Sequence, residues 1–306
     1  MTFPLVYVVV LNWNSRDDAI ECVGSLMNLD YPQYELLVVD NDSSDGSVES
    51  LKARFPDLEI IINKTNLGAC EGRNVGIRYA LEKGADYVAL LDNDTVVDQN
   101  LLTELVKAGE ADPQAGMLVP KVYDYWDKQK IHSAGSRACR FPPGRIKIIG
   151  LGKQDSAIYG QQRKIDYATG CALLVKKEVF RQIGLFDPAF FYGLEEYDFS
   201  KRVREGGYEI IYVPDGHVWH KVASVRDYPV LKWRHLGRAT VYFYRKHISM
   251  PYFGLPIYVL WIVTRETMLG NLNAVTPFLM GVWDGLSKPV LYVPGGPVPI
   301  ESTGGD

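Results

Sequence analysis

Cysteine is scarce in this 306-residue chain: Cys22, Cys70, Cys139 and Cys171 are widely spaced, with no C-x-x-C pair. That spacing points away from a zinc site and from a disulfide framework, and a reducing cytoplasm is the expected compartment. Positive charge is not in excess either. Lys and Arg total 33 against 37 Asp and Glu, a formal net charge of -4, so there is no global attraction for nucleic acid. Long apolar runs are missing: none reaches the roughly 20 residues that cross a bilayer. The opening MTFPLVYVVVLNWN has no basic n-region and no small-residue cleavage site, so it reads as a buried strand rather than a signal peptide. The expectation is a soluble protein, attached at most to a membrane surface. Glycine is missing where dinucleotide enzymes need it. The first strand-to-helix turn, LNWNSRDD, has none, and no G-x-x-x-x-G-K-[ST] occurs, which disfavours a dehydrogenase and a P-loop NTPase.

What is present is a chain 47% hydrophobic and 23% charged, enough for one large core or two modest ones. Its first hundred residues alternate short apolar runs with amphipathic segments. Leu5–Leu11 predicts a strand, Asn14/Ser15 an N-cap and a helix through about Met27; Glu35–Asp40 predicts a strand, with a helix through about Phe55. Leu58–Ile62 and Asp86–Leu91 predict further strands around a helix over Ala69–Lys83, and another helix begins near Asn100. Near-continuous Val, Ile and Leu in alternation with helices imply a parallel sheet covered on both faces, with ligands beyond the carboxyl ends of the strands. Polar residues gather at those ends: Asn12-Trp13-Asn14, Asp40-Asn41-Asp42, Asn66-Leu67-Gly68 and Asp92-Asn93-Asp94. The stretch 116–164 is less regular and reads as an acceptor-side elaboration or a mobile loop. A strand over Asp166–Lys176, a short helix closed by Gly184 and a strand EIIYVPD follow.

Three groups carry candidate chemistry. Asp92 and Asp94, spaced i, i+2 at a strand end, can bind a hard divalent cation through oxygen, although such triplets are also common in turns. Glu195-Glu196-Tyr197-Asp198 precedes the helix FSKRVREGG; these acids either favour the positive helix N-terminus or place one carboxylate in the cleft as a general base, its pKa raised by crowding. His220 follows the strand EIIYVPD and is either a packed histidine or a third metal ligand. Gly72 and Gly76 permit close packing of their helix on the sheet, leaving Arg73 to face a nucleotide.

The stretches VVVLNWNSRDDAIECVGSL, LLVVDNDSSDGSVE, NKTNLGACEGRNVGIRYAL, LLDNDTVV, YATGCALLVKKEVFRQIGLFD and FFYGLEEYDFSKRVREGGYEIIYVPDGHVWHK resemble, in order, family 2 glycosyltransferases, particularly the rhamnosyltransferase-like group, over roughly residues 4–225. The resemblance implies an α/β protein of GT-A fold: a Rossmann-like nucleotide-binding domain with a mixed, mostly parallel central sheet, plus a helical C-terminal extension. It implies inverting transfer from a UDP-, dTDP- or GDP-sugar to a glycan or lipid-linked acceptor, assisted by Mn2+ or Mg2+. Leu11, Trp13 and Asp40 fall where the family holds nucleobase and ribose, with Arg73 in the donor-side helix. Asp92 and Asp94, around Asn93, match the donor- and metal-binding D-x-D, and His220 matches a Trp-His motif that supplies a metal ligand. The family's base motif reads Glu-Asp-x-Asp; here Glu196 stands at the catalytic position, with Glu195 as its rival. Residues 1–225 form the expected catalytic domain, with a donor half over about 1–115 and an acceptor half over about 116–225. A sugar-nucleotide pyrophosphorylase lacks support because LNWNSRDD has no Gly-rich basic loop. A non-catalytic binding module gives no reason to keep Asp92, Asp94, Glu196 and His220 together.

The remaining region, 226–306, is basic and aromatic. Arg226, Lys232, Arg234, Arg238, Arg245 and Lys246 stand among Trp233, Tyr242, Phe243 and Tyr244, and the segment YFGLPIYVLWIV follows. That composition suits an interfacial element on anionic lipid, peripheral on the cytoplasmic face. It equally suits a helix packed on the domain, or a homodimer contact.

Overall fold

The structure, a computed structural model, describes residues 3–221 and 230–287. Strands rich in Val and Leu need cover on both faces, and the chain supplies it by alternating them with helices. The first part runs β1 (Val6–Asn12), α1 (Arg16–Leu26), β2 (Tyr34–Asp40), α2 (Ser47–Arg54), β3 (Glu59–Ile62), α3 (Gly68–Glu82), β4 (Tyr87–Asp92), β5 (Thr95–Val97) and α4 (Leu101–Ala111). The predicted elements of this part are met to within a residue or two. The pleat then sorts side chains between two cores. Val6, Val8 and Val10 join Val38, Ala89 and Leu91 on one face, while Tyr7 and Val9 join Leu37, Val39 and Leu90 on the other. β1 pairs in parallel with β2 and β4, and β2 with β3, so Asn12 lies beside Asp40 and Leu11 beside Asp92. The polar strand ends are thereby collected at one edge.

The stretch 116–164, read as an acceptor-side elaboration or a mobile loop, is built largely of strands. It opens with β6 (Ala115–Asp124), buried at nine of its ten positions. Pro120 masks this strand in the sequence, because a proline cannot donate to a ladder. Here Pro120 faces Val213, at the point where the partner strand jumps from Val213 to His217; the proline sits where the ladder is already interrupted. Short strands follow: β7 (Lys130–Ser133), β8 (Ser136–Ala138), β9 (Ile146–Ile148), β10 (Lys153–Gln154) and β11 (Arg163–Ile165). The strand expected over Asp166–Lys176 starts later, as β12 (Ala172–Lys176), and is followed by α5 (Lys177–Ile183), α6 (Glu195–Glu205) and β13 (Glu209–His220). β12 runs antiparallel between β4 and β6, and β13 pairs in parallel with β6. The long strands make one mixed sheet, mostly parallel, in the order β3-β2-β1-β4-β12-β6 with β13 beside β6.

Three helices complete the described chain: α7 (Val230–His247), α8 (Pro251–Met268) and α9 (Leu272–Ser287). Arg226 lies outside the described residues. The basic segment is helical as expected, yet much of it is inside: Trp233, Tyr242, Phe243 and Tyr244 are buried and belong to the core that covers one face of the sheet. Phe190 meets Tyr242 edge-on at 6.3 Å, and the Tyr244 hydroxyl donates to the Pro143 carbonyl. α9 covers the other side of α7. A Cβ on Gly237 would fall on the Phe278 backbone, and one on Gly281 on the Arg234 backbone, so these helices cross backbone to backbone. Among the described residues no helix is long and apolar enough to cross a membrane.

This crossing generates a stability test. Gly281→Ala sets a methyl group against a carbonyl that has no rotamer to escape into, and is expected to destabilise the protein by about 1–3 kcal/mol. Urea unfolding should show a lower midpoint at unchanged slope; an unchanged midpoint would mean the helices are free to separate.

Candidate active site

The polar strand ends are tied by short side chains. Asn12 Nδ2 donates to Asp40 Oδ2 at 2.8 Å, and the Ser43 amide donates to Asp40 Oδ1 at 2.8 Å. Asn93 Nδ2 donates to Asn12 Oδ1 at 2.7 Å, closing a chain across β4, β1 and β2. Asp40 is fully buried, while Trp13 at the rim is 52% exposed. Leu11 packs under Gly72, where a Cβ would approach its Cδ1 to 2.6 Å, so the close helix–sheet approach is as expected.

Asp92, Asp94 and His220 come together although His220 is 126 positions beyond Asp94 in sequence. β13 pairs with β5 so that His220 lies opposite Thr95, and the Lys221 amide donates to the Asp94 carbonyl at 2.9 Å. One donor atom from each of the three residues lies within 4.8 Å of the others. His220 Nε2 approaches Asp94 Oδ1 to 3.1 Å. Even so, Asp94 Oδ1 and His220 Nδ1 are buried without an aligned hydrogen-bond partner. Burial works against a charged His220, but the Cys171 sulfur and the Asp94 carboxylate outweigh it and hold the imidazole above its ordinary range. Burial also opposes ionisation of Asp94, and the close approach of His220, with Lys232 of α7 behind it, holds its pKa low. Two carboxylates and an imidazole with orphaned polar atoms fit a hard or borderline divalent cation such as Mg2+ or Mn2+. A second histidine, His132, meets the His220 ring edge-on at 5.2 Å, and burial pushes it down to about 4. No sequence signal singled out His132; the short strand β7, between β6 and β10, brings it there.

The acidic cluster is not ahead of its helix but inside the first turn. Gly193 (φ 90) and Leu194 (φ 64) form a left-handed entry to α6, an unfavourable conformation for leucine that persists where the surroundings fix it. The three acids then take different partners. Glu195 accepts from Arg73 Nη1 at 3.0 Å, and Arg73 Nη2 donates to Asp92 Oδ1 at 2.6 Å. Arg73 is therefore buried between two carboxylates, with its guanidinium largely committed to them. Glu195 Oε2 remains buried and unpartnered. Asp198 is fully buried and meets three basic side chains: Arg202 Nε at 2.9 Å, Lys246 Nζ at 2.8 Å and His247 Nε2 at 2.7 Å. Among the described residues Glu196 forms no ion pair. Burial, and then the charge of Glu195, push its carboxyl up to about 8. Gly170 lies beside it, where a Cβ would stand in ordinary contact at 3.5 Å from Glu196 Cδ.

The Asp198 triad has a thermodynamic consequence. Burial would raise its pKa, but His247, Arg202 and Lys246 outweigh that and hold it far below the carboxylate range. A group with a depressed folded pKa adds stability above its unfolded value of about 3.9 and loses it as pH falls. The wild-type protein is expected to lose stability more steeply than Asp198→Asn between about pH 5 and pH 2, from a higher value at neutral pH. Urea unfolding at a series of pH values measures this, and parallel curves would remove Asp198 as the cause.

Residues 7–184, over half of the chain, match the family model described as glycosyl transferase family 2. Over 205 residues the chain is 25% identical to the N-acetylglucosaminyl-diphospho-decaprenol L-rhamnosyltransferase of Mycobacterium tuberculosis, covering 61% of this chain and 66% of that one, just under two thirds of its length. Over 223 residues it is 24% identical to the dTDP-rhamnosyl transferase RfbF of Shigella flexneri, covering 72% of this chain and 70% of that one. Among solved structures, the mannosyltransferase PcManGT from Pyrobaculum calidifontis, in complex with GDP-Man and Mn2+, aligns with a TM-score of 0.57 at 19% identity, covering 94% of this chain and 76% of that one. This last likeness is one of fold, the GT-A architecture. A match over β1 to α5 that takes in the Asn12–Asp40 ties, Arg73 and the Asp92-Asn93-Asp94 corner has one reading: the chain belongs to glycosyl transferase family 2.

Proposed function

We propose that the protein moves a sugar from a nucleoside-diphosphate donor to a hydroxyl of a glycan or lipid-linked acceptor, with inversion at the anomeric carbon. One observation carries this reading: Glu196 is the carboxylate of its cluster without a cation, and Arg73 joins its neighbour Glu195 to Asp92 of the metal-type site. A base and a cation site stand one guanidinium apart.

In this reading residues 1–115 hold the donor. Trp13 and Leu11 offer apolar surface to the nucleobase, and Asp40, fixed by Asn12 and Ser43, positions the ribose side of the pocket. Asp92, Asp94 and His220 would hold Mn2+ or Mg2+, which when bound neutralises charge on the departing diphosphate. Glu196 accepts the proton of the acceptor hydroxyl. The acceptor oxygen forms its bond to the anomeric carbon as the bond from that carbon to the diphosphate oxygen breaks, and the nucleoside diphosphate leaves. Arg73 pairs with Glu195 and occupies it, which leaves proton transfer to Glu196. Residues 116–225 frame the acceptor side, and 226–306 set the enzyme against a membrane that carries a lipid-linked acceptor. The four cysteines are free thiols, in keeping with a cytoplasmic location.

Two measurements test the assignment. Glu196→Gln is expected to lower kcat by about 10²–10⁴ with nucleotide binding retained, and wild-type kcat/KM should rise with pH along a limb well above the ordinary carboxylate range. Near-normal turnover by Glu196→Gln would end its role as base. In thermal unfolding, the matching nucleotide among UDP, dTDP and GDP at 100 times its Kd should add about 2.7 kcal/mol, and only with Mn2+ present. Asp94→Asn should abolish that dependence; a variant that keeps it would remove Asp94 from the cation site.

A further inference from the structure

We propose that the exposed face of the β8–β9 hairpin is an anion-binding subsite that holds a phosphate or diphosphate ester on the acceptor. The inference deepens the transferase reading above and rests on it for its purpose. Residues 136–148 contain Arg137, Arg140, Arg145 and Lys147 and no acid, in a chain whose net charge is -4. Among the described residues none of these four makes an ion pair. Cations elsewhere in the fold are met by acids: Lys121 by Asp155, Lys221 by Asp18 and Arg234 by Asp284. Asp166, an acid that touches the hairpin, is spent on the Ala138 amide at 2.9 Å and on Arg204 at 3.3 Å.

The register makes this accumulation costly. Arg137 and Lys147 are direct partners across the hairpin, and like charges directly opposite destabilise a strand pair. Both side chains are exposed, while Ile146, on the other side of the pleat, packs against the core. The Cys139 amide carries the ladder on to the Arg145 carbonyl at 2.8 Å, so alternation returns Arg145 to the side of Lys147. The Arg145 guanidinium lies over the Trp261 ring at 4.5 Å, which holds the group and leaves its N–H donors uncommitted. Such a guanidinium offers a planar fork that matches phosphate oxygens. An anion between these side chains turns their repulsion into attraction, and a phosphate ester supplies acceptor oxygens for several cations at once.

The hairpin is rooted beside the base. The Ser136 amide donates to the Tyr167 carbonyl at 3.0 Å, Tyr167 meets the Tyr197 ring edge-on at 5.6 Å, and Tyr197 follows Glu196 in α6. Its far end is anchored on the C-terminal helices, where the Tyr244 hydroxyl donates to the Pro143 carbonyl and Arg145 meets Trp261 of α8. The hairpin thus bridges the turn that carries Glu196 and helix α8. A phosphate held on it leaves the adjoining sugar to reach the base. The acceptor class that follows is a saccharide joined through phosphate to a carrier, rather than a neutral glycan.

The test is isothermal titration of the full chain with inorganic pyrophosphate, in EDTA and without nucleotide, so that the cation site stays silent. The wild-type protein is expected to bind, and Arg137→Ala with Lys147→Ala to weaken binding about tenfold or more, the effect of losing a charge-assisted hydrogen bond. Without ligand, the unfolding temperature of that variant should be unchanged or higher, because the opposed charges are gone. Arg145→Gln gives an independent loss should the double variant fold poorly. No binding of pyrophosphate by the wild type, or undiminished binding by the folded variants, overturns the proposal. So does glucuronate that binds more tightly than pyrophosphate, which would make the ligand a carboxylate of a glycan. A wild type that ignores pyrophosphate but sediments with phosphatidylglycerol vesicles, and loses that in the double variant, overturns it too and assigns the face to lipid headgroups. Mn2+-dependent stabilisation by nucleotide, read on the same variants, separates the two readings: its absence strikes the active site and leaves the pyrophosphate result standing.

Discussion

The buried guanidinium of Arg73 is the interaction on which the site depends. It satisfies Asp92 from β4 and Glu195 from α6 at once, and so fixes the distance between the end of β4 and the first turn of α6. Burial disfavours its charge, yet the two carboxylates hold it protonated above its ordinary value. Breaking a buried pair of this kind typically costs about 3–5 kcal/mol, because the partners stay buried without compensation. The pairing also gives two adjacent glutamates different chemistry. Glu195 is paired with a cation, whereas burial first, and then the neighbouring Glu195, push the Glu196 carboxyl upward.

A second bridge does similar work at the far end of the same motif. Asp198 reaches α7 through Lys246 and His247, so the last acid of the cluster is where the C-terminal helices join the crevice. Lys246 also reaches Asp187 at 2.5 Å, in the loop that leads to the left-handed turn before α6. The helical extension is thereby part of the wall of the site.

Much of this was legible in the sequence wherever the signal is local. The strands and helices of residues 5–100 follow from runs and caps that each span a dozen residues, and the strand-end carboxylates follow from them. The cluster of Asp92, Asp94 and His220 was legible through family motifs rather than spacing, since only the β5–β13 pairing brings His220 back. What stayed hidden depends on distant partners. Glu195 could not be separated from Glu196 without knowing that Arg73, 122 positions away, takes one of them. Asp198 gives no hint in sequence that a helix about fifty residues on will hold it. β6 escaped because Pro120 argues against a central strand unless the bulge opposite is known. Segment 230–247 carries the composition of a surface helix, yet Trp233, Tyr242, Phe243 and Tyr244 are core and Lys246 pairs with Asp187 and Asp198.

That bulge sets a count as well as a shape. β13 spends four residues, from Val213 to His217, where β6 spends one, from Pro120 to Lys121. Side chains alternate faces along a strand, so the parity of those looped-out residues decides which face His220 occupies. Substitution within Pro214-Asp215-Gly216 leaves that parity alone. Insertion or deletion of a single residue there reverses it and turns the imidazole away from Asp94, with every ligand still present in the chain. The segment acts as a spacer whose length, more than its composition, is under constraint.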